Sequence, residues 1–321
     1  MTEPSLFEQL REAAAEVTRR ARSVRIDDAA LEQFAAHLAH ERPAPAVADP
    51  ARRSLGSPET TVAFVLTMNA VNFGSGWFPH LRKEGSLSGS LTLARALRRR
   101  FEQEGPWSAR ELEGLGPEDC ARIFGQPMTP PVDELMGLFA QALRDLGSFL
   151  GSRYHGRFRG PVEEAGGQAE RLVRILAQMP LYRDVARYQG FEVPFYKRAQ
   201  ITCSDLAEAL GGRGPGAFRD LDRLTLFADN LVPHVLRMLG VLQLDALLAA
   251  RIESGTLIPS GSEEEVEIRA VALHAVERLA GSCASRGWPV SPRRLDHLLW
   301  TRGQSRRIKA RPRHRTRCTF Y

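Results

Sequence analysis

The chain has 321 residues, 43% hydrophobic and 26% charged, with a formal net charge of +6, the proportions of an ordinary globular protein of one large domain or two medium ones. No apolar run approaches the ~20 residues that span a bilayer, and the opening MTEPSLFEQLREAAAEV lacks the basic-then-apolar order of a secretory signal. The positive charge is local: residues 301–321 hold eight basic side chains and no acid, so taking eight from +6 leaves residues 1–300 at −2, which weighs against a broad nucleic-acid face on the body.

The periodicity is helical nearly throughout, and the fold class it predicts is all-α. Residues 5–24 and 28–41 read as amphipathic helices, followed by a Pro/Ala-rich linker at 42–56. Ser57-Pro58-Glu59 starts a helix with a capping hydroxyl and proline in its first turn. The TTVAFVLTMNAV that follows is apolar nearly all round and therefore central. Further helices are expected at 88–104, 108–114, 117–124, 131–150, 162–179, 181–188, 197–211, 217–226, 230–239, 243–253, 262–284 and 291–302. Only FEVPFY (191–196) reads as extended, and Pro194 limits it to an edge. Residues 1–56 are expected to form N-terminal helices and a linker, and 57–321 the main domain, with a lobe division near the loop 151–162.

Catalytic signatures with a fixed spacing are absent. There is no P-loop, HExxH or GxSxG, and the four cysteines and eight histidines show no metal-ligand spacing. No metal and no cofactor are expected, and scattered single cysteines fit reduced thiols in a cytoplasm.

Five stretches stand out. In NAVNFGSGWFPHLRK (69–83) a helix ends at Asn72-Phe73 and glycines turn the chain into Trp77-Phe78. This is either a C-cap with core aromatics or a flat aromatic wall for a heterocyclic base. In PFYKRAQITCSDLAEAL (194–210) Lys197 and Ser204 share a helical face and Asp205 follows, either a solvated helix start or two charged groups reaching into one pocket. RLTLFADNLVP (223–233) places Asp229 among Leu224, Leu226, Phe227, Ala228, Leu231 and Val232. A carboxylate there either caps the helix 230–239 or, kept dry, stabilises a developing cation. SGSEEEVEIRA (260–270) carries a Ser262–Glu265 capping box and a Glu265–Arg269 pair, with Glu263, Glu264 and Glu267 left over. The basic terminus PRHRTRCTFY is either disordered or, anchored by Cys318, Phe320 and Tyr321, folded back to hold a phosphate.

VNFGSGWF, FYKRAQ, LTLFADNLVP, GSEEEVEIRA and the closing HRTR…Y, in that order and spacing from about residue 57 onward, resemble the queuosine salvage family of queuosine 5′-phosphate N-glycosylases. The chain departs from the family pattern at Asn230 and Leu231, where an aromatic and a basic residue follow the aspartate, and in a glycine pair inserted into the aromatic stretch. The resemblance implies hydrolysis of the N-glycosidic bond of queuosine 5′-monophosphate, releasing queuine for tRNA modification. It implies a multi-helical fold related to helix-hairpin-helix DNA glycosylases, with GGRGPG (211–216) ahead of Asp229 echoing their hairpin-then-aspartate order, and an active site in a cleft between helical lobes.

On that reading Asp229 is catalytic and Lys197 either orients it or binds phosphate. Asn72, Phe73, Trp77 and Phe227 surround the base, Asp205 accepts from its guanine-like edge, and Glu264 pairs with the cationic amine of queuine. His314, Arg315 and Arg317 join Lys197 as candidates for the 5′-phosphate. The implied partner is a small-molecule nucleotide, with no stable nucleic acid and no membrane. The competing readings are a tRNA-binding module that uses the basic tail, and a DNA glycosylase-like enzyme.

Overall fold

A computed structural model describes residues 4–44 and 54–321; of the linker expected at 42–56, residues 45–53 lie outside the described residues. The architecture is mostly helical. In chain order come α1 (Leu6–Arg20), β1 (Val24–Ile26), α2 (Asp28–Glu41), α3 (Pro58–Ala70) and α4 (Gly89–Glu104). There follow α5 (Ala109–Glu113), α6 (Pro117–Phe124), α7 (Val132–Tyr154), α8 (Gly160–Ala165), α9 (Ala169–Leu176), β2 (Val185–Tyr188), β3 (Phe191–Pro194) and α10 (Lys197–Ala209). The last are α11 (Leu231–Met238), β4 (Leu242–Leu244), α12 (Ala246–Glu253), α13 (Glu263–Ser285), α14 (Pro292–Gly303) and α15 (Arg306–Lys309).

The chain forms two compact units, each discontinuous in sequence. The first holds Met1–Val47, Asp184–Lys197 and Asp222–Arg317; the second holds Ala48–Arg183, Arg198–Leu221 and Cys318–Tyr321. The loop 151–162 lies inside the second unit, and α7 extends to Tyr154. In the first unit α1 and α2 pack on α13.

In the first unit α13 is buried along most of its length, from Glu265 to Cys283, which is why its apolar pattern runs all round rather than along one stripe. Leu31, Phe34, Leu38, Val235 and Leu279 share its core. Glu267, one of the acids left over in the sequence, is buried here. Its carboxylate accepts from the N–H groups of Arg22, Ser23 (2.7 Å) and Val24 (3.1 Å) and from the Tyr188 hydroxyl (2.9 Å). Burial and this carboxylate together raise the Tyr188 pKa, so the hydroxyl stays a donor.

In the second unit the capped start read from Ser57-Pro58 is present: Ser57 accepts from the Thr60 N–H at 3.1 Å, and α3 runs buried from Thr61 to Ala70. α5 packs on α7 across Gly147, where a side-chain carbon would sit 2.5 Å from the Ala109 carbonyl oxygen. Glycine is required there by the closeness of the two backbones.

Three segments expected to be helical are not, or not throughout. Residues 181–188 contain strand β2, which pairs antiparallel with β3 through the register Val185↔Pro194 to Tyr188↔Phe191. Gln189 and Gly190, both at positive φ, make the two-residue turn that suits such a hairpin. The start of 243–253 is strand β4, paired with β1 through Val24↔Leu244. The helix expected at 217–226 is absent: only a 3₁₀ turn forms at Leu221–Arg223, and residues 224–229 beyond it are irregular, with Leu224, Leu226, Phe227 and Ala228 all buried. That run is apolar on every side because loop packing, not a helical face, buries it.

Candidate active site

In the first unit the irregular run 224–229 delivers Asp229 to the N-terminus of α11. One oxygen, Oδ1, accepts from the N–H groups of Leu231 (2.8 Å) and Val232 (3.0 Å). Asp229 therefore caps α11 from one residue before the formal cap, Asn230, and Pro233 is accommodated in the first turn, where a missing N–H costs little. The other oxygen, Oδ2, takes no hydrogen bond among the described residues. Asp229 is half-buried while its neighbours Phe227, Ala228 and Asn230 are buried. A carboxylate held by one oxygen against the positive end of a helix, with the second oxygen open, is aimed as well as capped.

The backbone just before it is clamped. Arg269, buried on α13, donates from Nε to the Ala228 carbonyl at 2.9 Å. Its two terminal nitrogens reach the Asp184 carboxylate at 3.0 and 2.7 Å, both side chains being almost wholly buried. Its guanidinium lies 3.9 Å from the Phe195 ring centroid, and Glu265, as the spacing suggested, pairs with it at 3.6 Å. Asp184 also accepts the Lys197 N–H on Oδ2 (3.1 Å), while its main-chain oxygen accepts from Phe195 and Tyr196. Lys197 is buried and is the first residue of α10.

The terminal segment packs into the same unit through Arg317. The His314 carbonyl accepts from the Asn230 amide at 3.3 Å, and the Arg315 carbonyl accepts the Ile258 N–H at 2.9 Å. His314 is buried; desolvation, then the charges of Arg313, His234, Arg269 and Arg237, bring its pKa down to about 3. It is a neutral ring at pH 7, so the cations here are its neighbours. Arg315 and Arg317 are half-buried. Arg313, not singled out in the sequence, is the guanidinium that senses Asp229: burial lowers its pKa and the Asp229 charge opposes that shift.

The His314 shift has a measurable consequence. Its folded pKa lies below the ordinary 6.5, so the unfolded chain binds the proton first as pH falls, and stability drops from about pH 6.5 downward. Denaturant titrations should show His314 contributing about 2 kcal/mol of the loss between pH 7 and pH 5, a share missing from His314→Asn, while His234 and His274, whose pKa values burial also lowers, account for the remainder.

Glu264 is half-buried and is taken by Arg251 at 2.9 Å.

In the second unit the C-terminal end of α3 carries a polar relay. Asn72 donates to Asn69 Oδ1 (2.9 Å), and Asn69 donates to Asp205 Oδ2 on α10 (2.9 Å). Arg198, buried, caps the same helix end by donating to the carbonyls of Asn69 (3.3 Å) and Ala70 (2.6 Å) and to that of Leu181. The guanidinium covers the Phe73 ring at 4.9 Å and the Tyr182 ring at 4.4 Å.

Phe73 and Trp77 are only 1% and 2% exposed. Phe73 meets Phe139 edge-on, and the Trp77 indole donates to Glu134 at 2.8 Å. Both rings are occupied by protein packing. Phe78, named beside Trp77 in the sequence but given no role of its own, is half-buried and lines a small open pocket with Asn72, Met68, Val71, Leu93 and Leu97. The Gly74-Ser75 turn, with Gly74 at φ +111°, donates two N–H groups to the Tyr321 main-chain oxygen.

The structure thus joins Asn72 to Asp205 in one unit. In the other it links the backbones around Lys197 and Asp229 and sets Arg313 to His314 beside them. Arg198 and Arg269 were quoted within their motifs without a role as clamps; their signal is position, each standing inside a stretch rich in other polar candidates. Among the described residues no three potential ligands converge on a metal-holding group, and no helix is long and apolar enough to cross a membrane.

Residues 53–321 match the family described as queuosine salvage protein. A protein of Sphaerobacter thermophilus named queuosine 5′-phosphate N-glycosylase/hydrolase is 40% identical over 95% of each chain. Proteins of the same name from Mus musculus and Bos taurus are 30% identical over 83% of each chain and 27% identical over 97% of this chain and 98% of the relative. The chain belongs to the queuosine salvage protein family.

Proposed function

We propose that the protein hydrolyses the N-glycosidic bond of queuosine 5′-monophosphate, releasing queuine for reuse in tRNA modification. The observation that carries this reading is Asp229, fixed by one oxygen at the start of α11 with Oδ2 open, in a chain 40% identical to a relative bearing that activity in its name.

Breaking the bond between C1′ and the base nitrogen passes through an oxocarbenium-like state. A carboxylate beside C1′ stabilises that positive charge and takes a proton from the attacking water. The bonding pair leaves with the base, water oxygen bonds to C1′, and the proton that water gives up is returned to the departing base nitrogen, so that one water is consumed and the products are queuine and ribose 5-phosphate. A 7-deazapurine has no N7 to protonate, so stabilisation of the cation at C1′ bears more of the barrier.

The relay Asn72–Asn69–Asp205 supplies amide and carboxylate groups that suit a guanine-like edge. Arg313, Arg315, Arg317 and Lys197 supply cations that suit a 5′-phosphate. Phe73 and Trp77 support the polar groups from within the core, and Phe227, buried two residues before Asp229, adds apolar packing to the segment that carries it. Glu264 meets the amine of queuine only by exchanging Arg251 for it. The order of a glycine-rich turn at 211–216 before an aspartate that caps a helix start supports a kinship with helix-hairpin-helix DNA glycosylases. The free, buried cysteines fit a cytoplasmic enzyme, and the −2 balance of residues 1–300 fits action on a small nucleotide rather than on bound nucleic acid.

Purified protein incubated with queuosine 5′-monophosphate should yield queuine as a new chromatographic peak. Unchanged nucleotide, while a relative run in parallel turns over, would contradict the reading.

A further inference from the structure

We infer that the buried pair Arg269–Asp184 is a positioning brace that sets the Asp229 carboxylate against the start of α10, and that turnover depends on this geometry. The inference rests on the reading of Asp229 as catalytic.

Three features point to a brace rather than a stray ion pair. First, its contacts are backbone groups adjoining two polar candidates: Arg269 Nε holds the Ala228 carbonyl, one residue before Asp229, and Asp184 Oδ2 holds the Lys197 N–H. Secondly, Asp184 tethers a strained turn. Tyr196, an aromatic residue, sits at φ +47°, a conformation unfavourable for its side chain. It is kept there by N–H groups of Phe195 (2.9 Å) and Tyr196 (3.2 Å) donating to the Asp184 main-chain oxygen. Strain of this kind persists only where the surroundings over-determine it. Thirdly, the fork geometry is used in full: two nitrogens to the carboxylate, the third to a carbonyl, and one face on Phe195. A lysine retains the charge but cannot hold Asp184 and the Ala228 carbonyl together.

Arg269 touches no reacting atom in this account. It acts by fixing where Asp229 Oδ2 lies, and displacements of about 1 Å in such a group cost on the order of a hundredfold in rate. The test is Arg269→Lys, assayed with queuosine 5′-monophosphate beside the wild type. The expected result is a kcat at least tenfold lower with KM within twofold, in protein that melts cooperatively. Single-turnover rates should then show Arg269→Lys to be nearly silent when Asp229 is already Asn, because a brace has nothing left to aim.

A wild-type kcat in the folded variant, or the same fractional loss in both backgrounds, would overturn the brace. If Arg269→Lys does not fold, Asp184→Asn, which keeps the main-chain acceptor and one side-chain oxygen, reads the same quantities. Absence of turnover by the wild type itself would instead overturn the assignment of activity, so the two failures are distinguishable.

Discussion

Asp229→Asn lowers kcat about a thousandfold while leaving the fold intact; that is the expected result, and it separates the two roles the residue combines. The amide keeps an oxygen for the N–H groups of Leu231 and Val232, and asparagine is as good a cap as aspartate, so stability should change by less than about 1 kcal/mol. What the amide lacks is the charge that stabilises an oxocarbenium-like state and the basicity that takes a proton from water. Together these account for losses of about 10² to 10⁴ in rate. Single-turnover release of queuine, with a thermal melt of the same sample, reads both quantities. A variant that turns over normally would return Asp229 to the role of helix cap alone.

Glu267→Ala should give the largest loss of stability without a matching loss of chemistry. The carboxylate is buried and serves three backbone N–H groups at residues 22–24 and the Tyr188 hydroxyl. Removing it orphans those donors at about 1 kcal/mol or more each, so urea unfolding should show about 3–5 kcal/mol of destabilisation. None of these donors belongs to the candidate site, so kcat per folded molecule should be unchanged. Glu263→Ala serves as the control, since Glu263 is exposed in the first turn of the same helix and its loss should cost less than about 0.5 kcal/mol.

The sequence made the helical elements legible where a cap and a period agreed. Ser57-Pro58 opened α3 and the acids after Ser262 opened α13, because capping is a local interaction. It failed where burial came from loop packing. LTLFAD carries an apolar run that a helix would explain, yet the run is irregular, and only the Phe227 N–H bonded to the Asp296 carboxylate and the Arg269 clamp show why. The short strands escaped for a related reason: Val24–Ile26 and Leu242–Leu244 pair across more than two hundred residues, and three-residue runs carry no usable period.

In the candidate site, Asp229 was legible as an acid in apolar company, and Asp205 as a polar residue on a helix. The network joining Asp205 to Asn72 was not, because Asn69 read as part of an apolar helix. The neutrality of His314 was hidden as well, being set by burial and by Arg313, His234, Arg269 and Arg237 around it. Phe73 and Trp77 were readable either as core aromatics beside a helix cap or as an open wall, and the fold uses both rings as core.

The most direct test of the central claim, hydrolysis at C1′, is to run the reaction in heavy-oxygen water and follow the label by mass spectrometry. Attack by water at C1′ predicts one labelled oxygen in ribose 5-phosphate, none in queuine, and equal amounts of the two products. Loss of phosphate with the base still attached to the sugar, or queuine released with no labelled sugar, would contradict it.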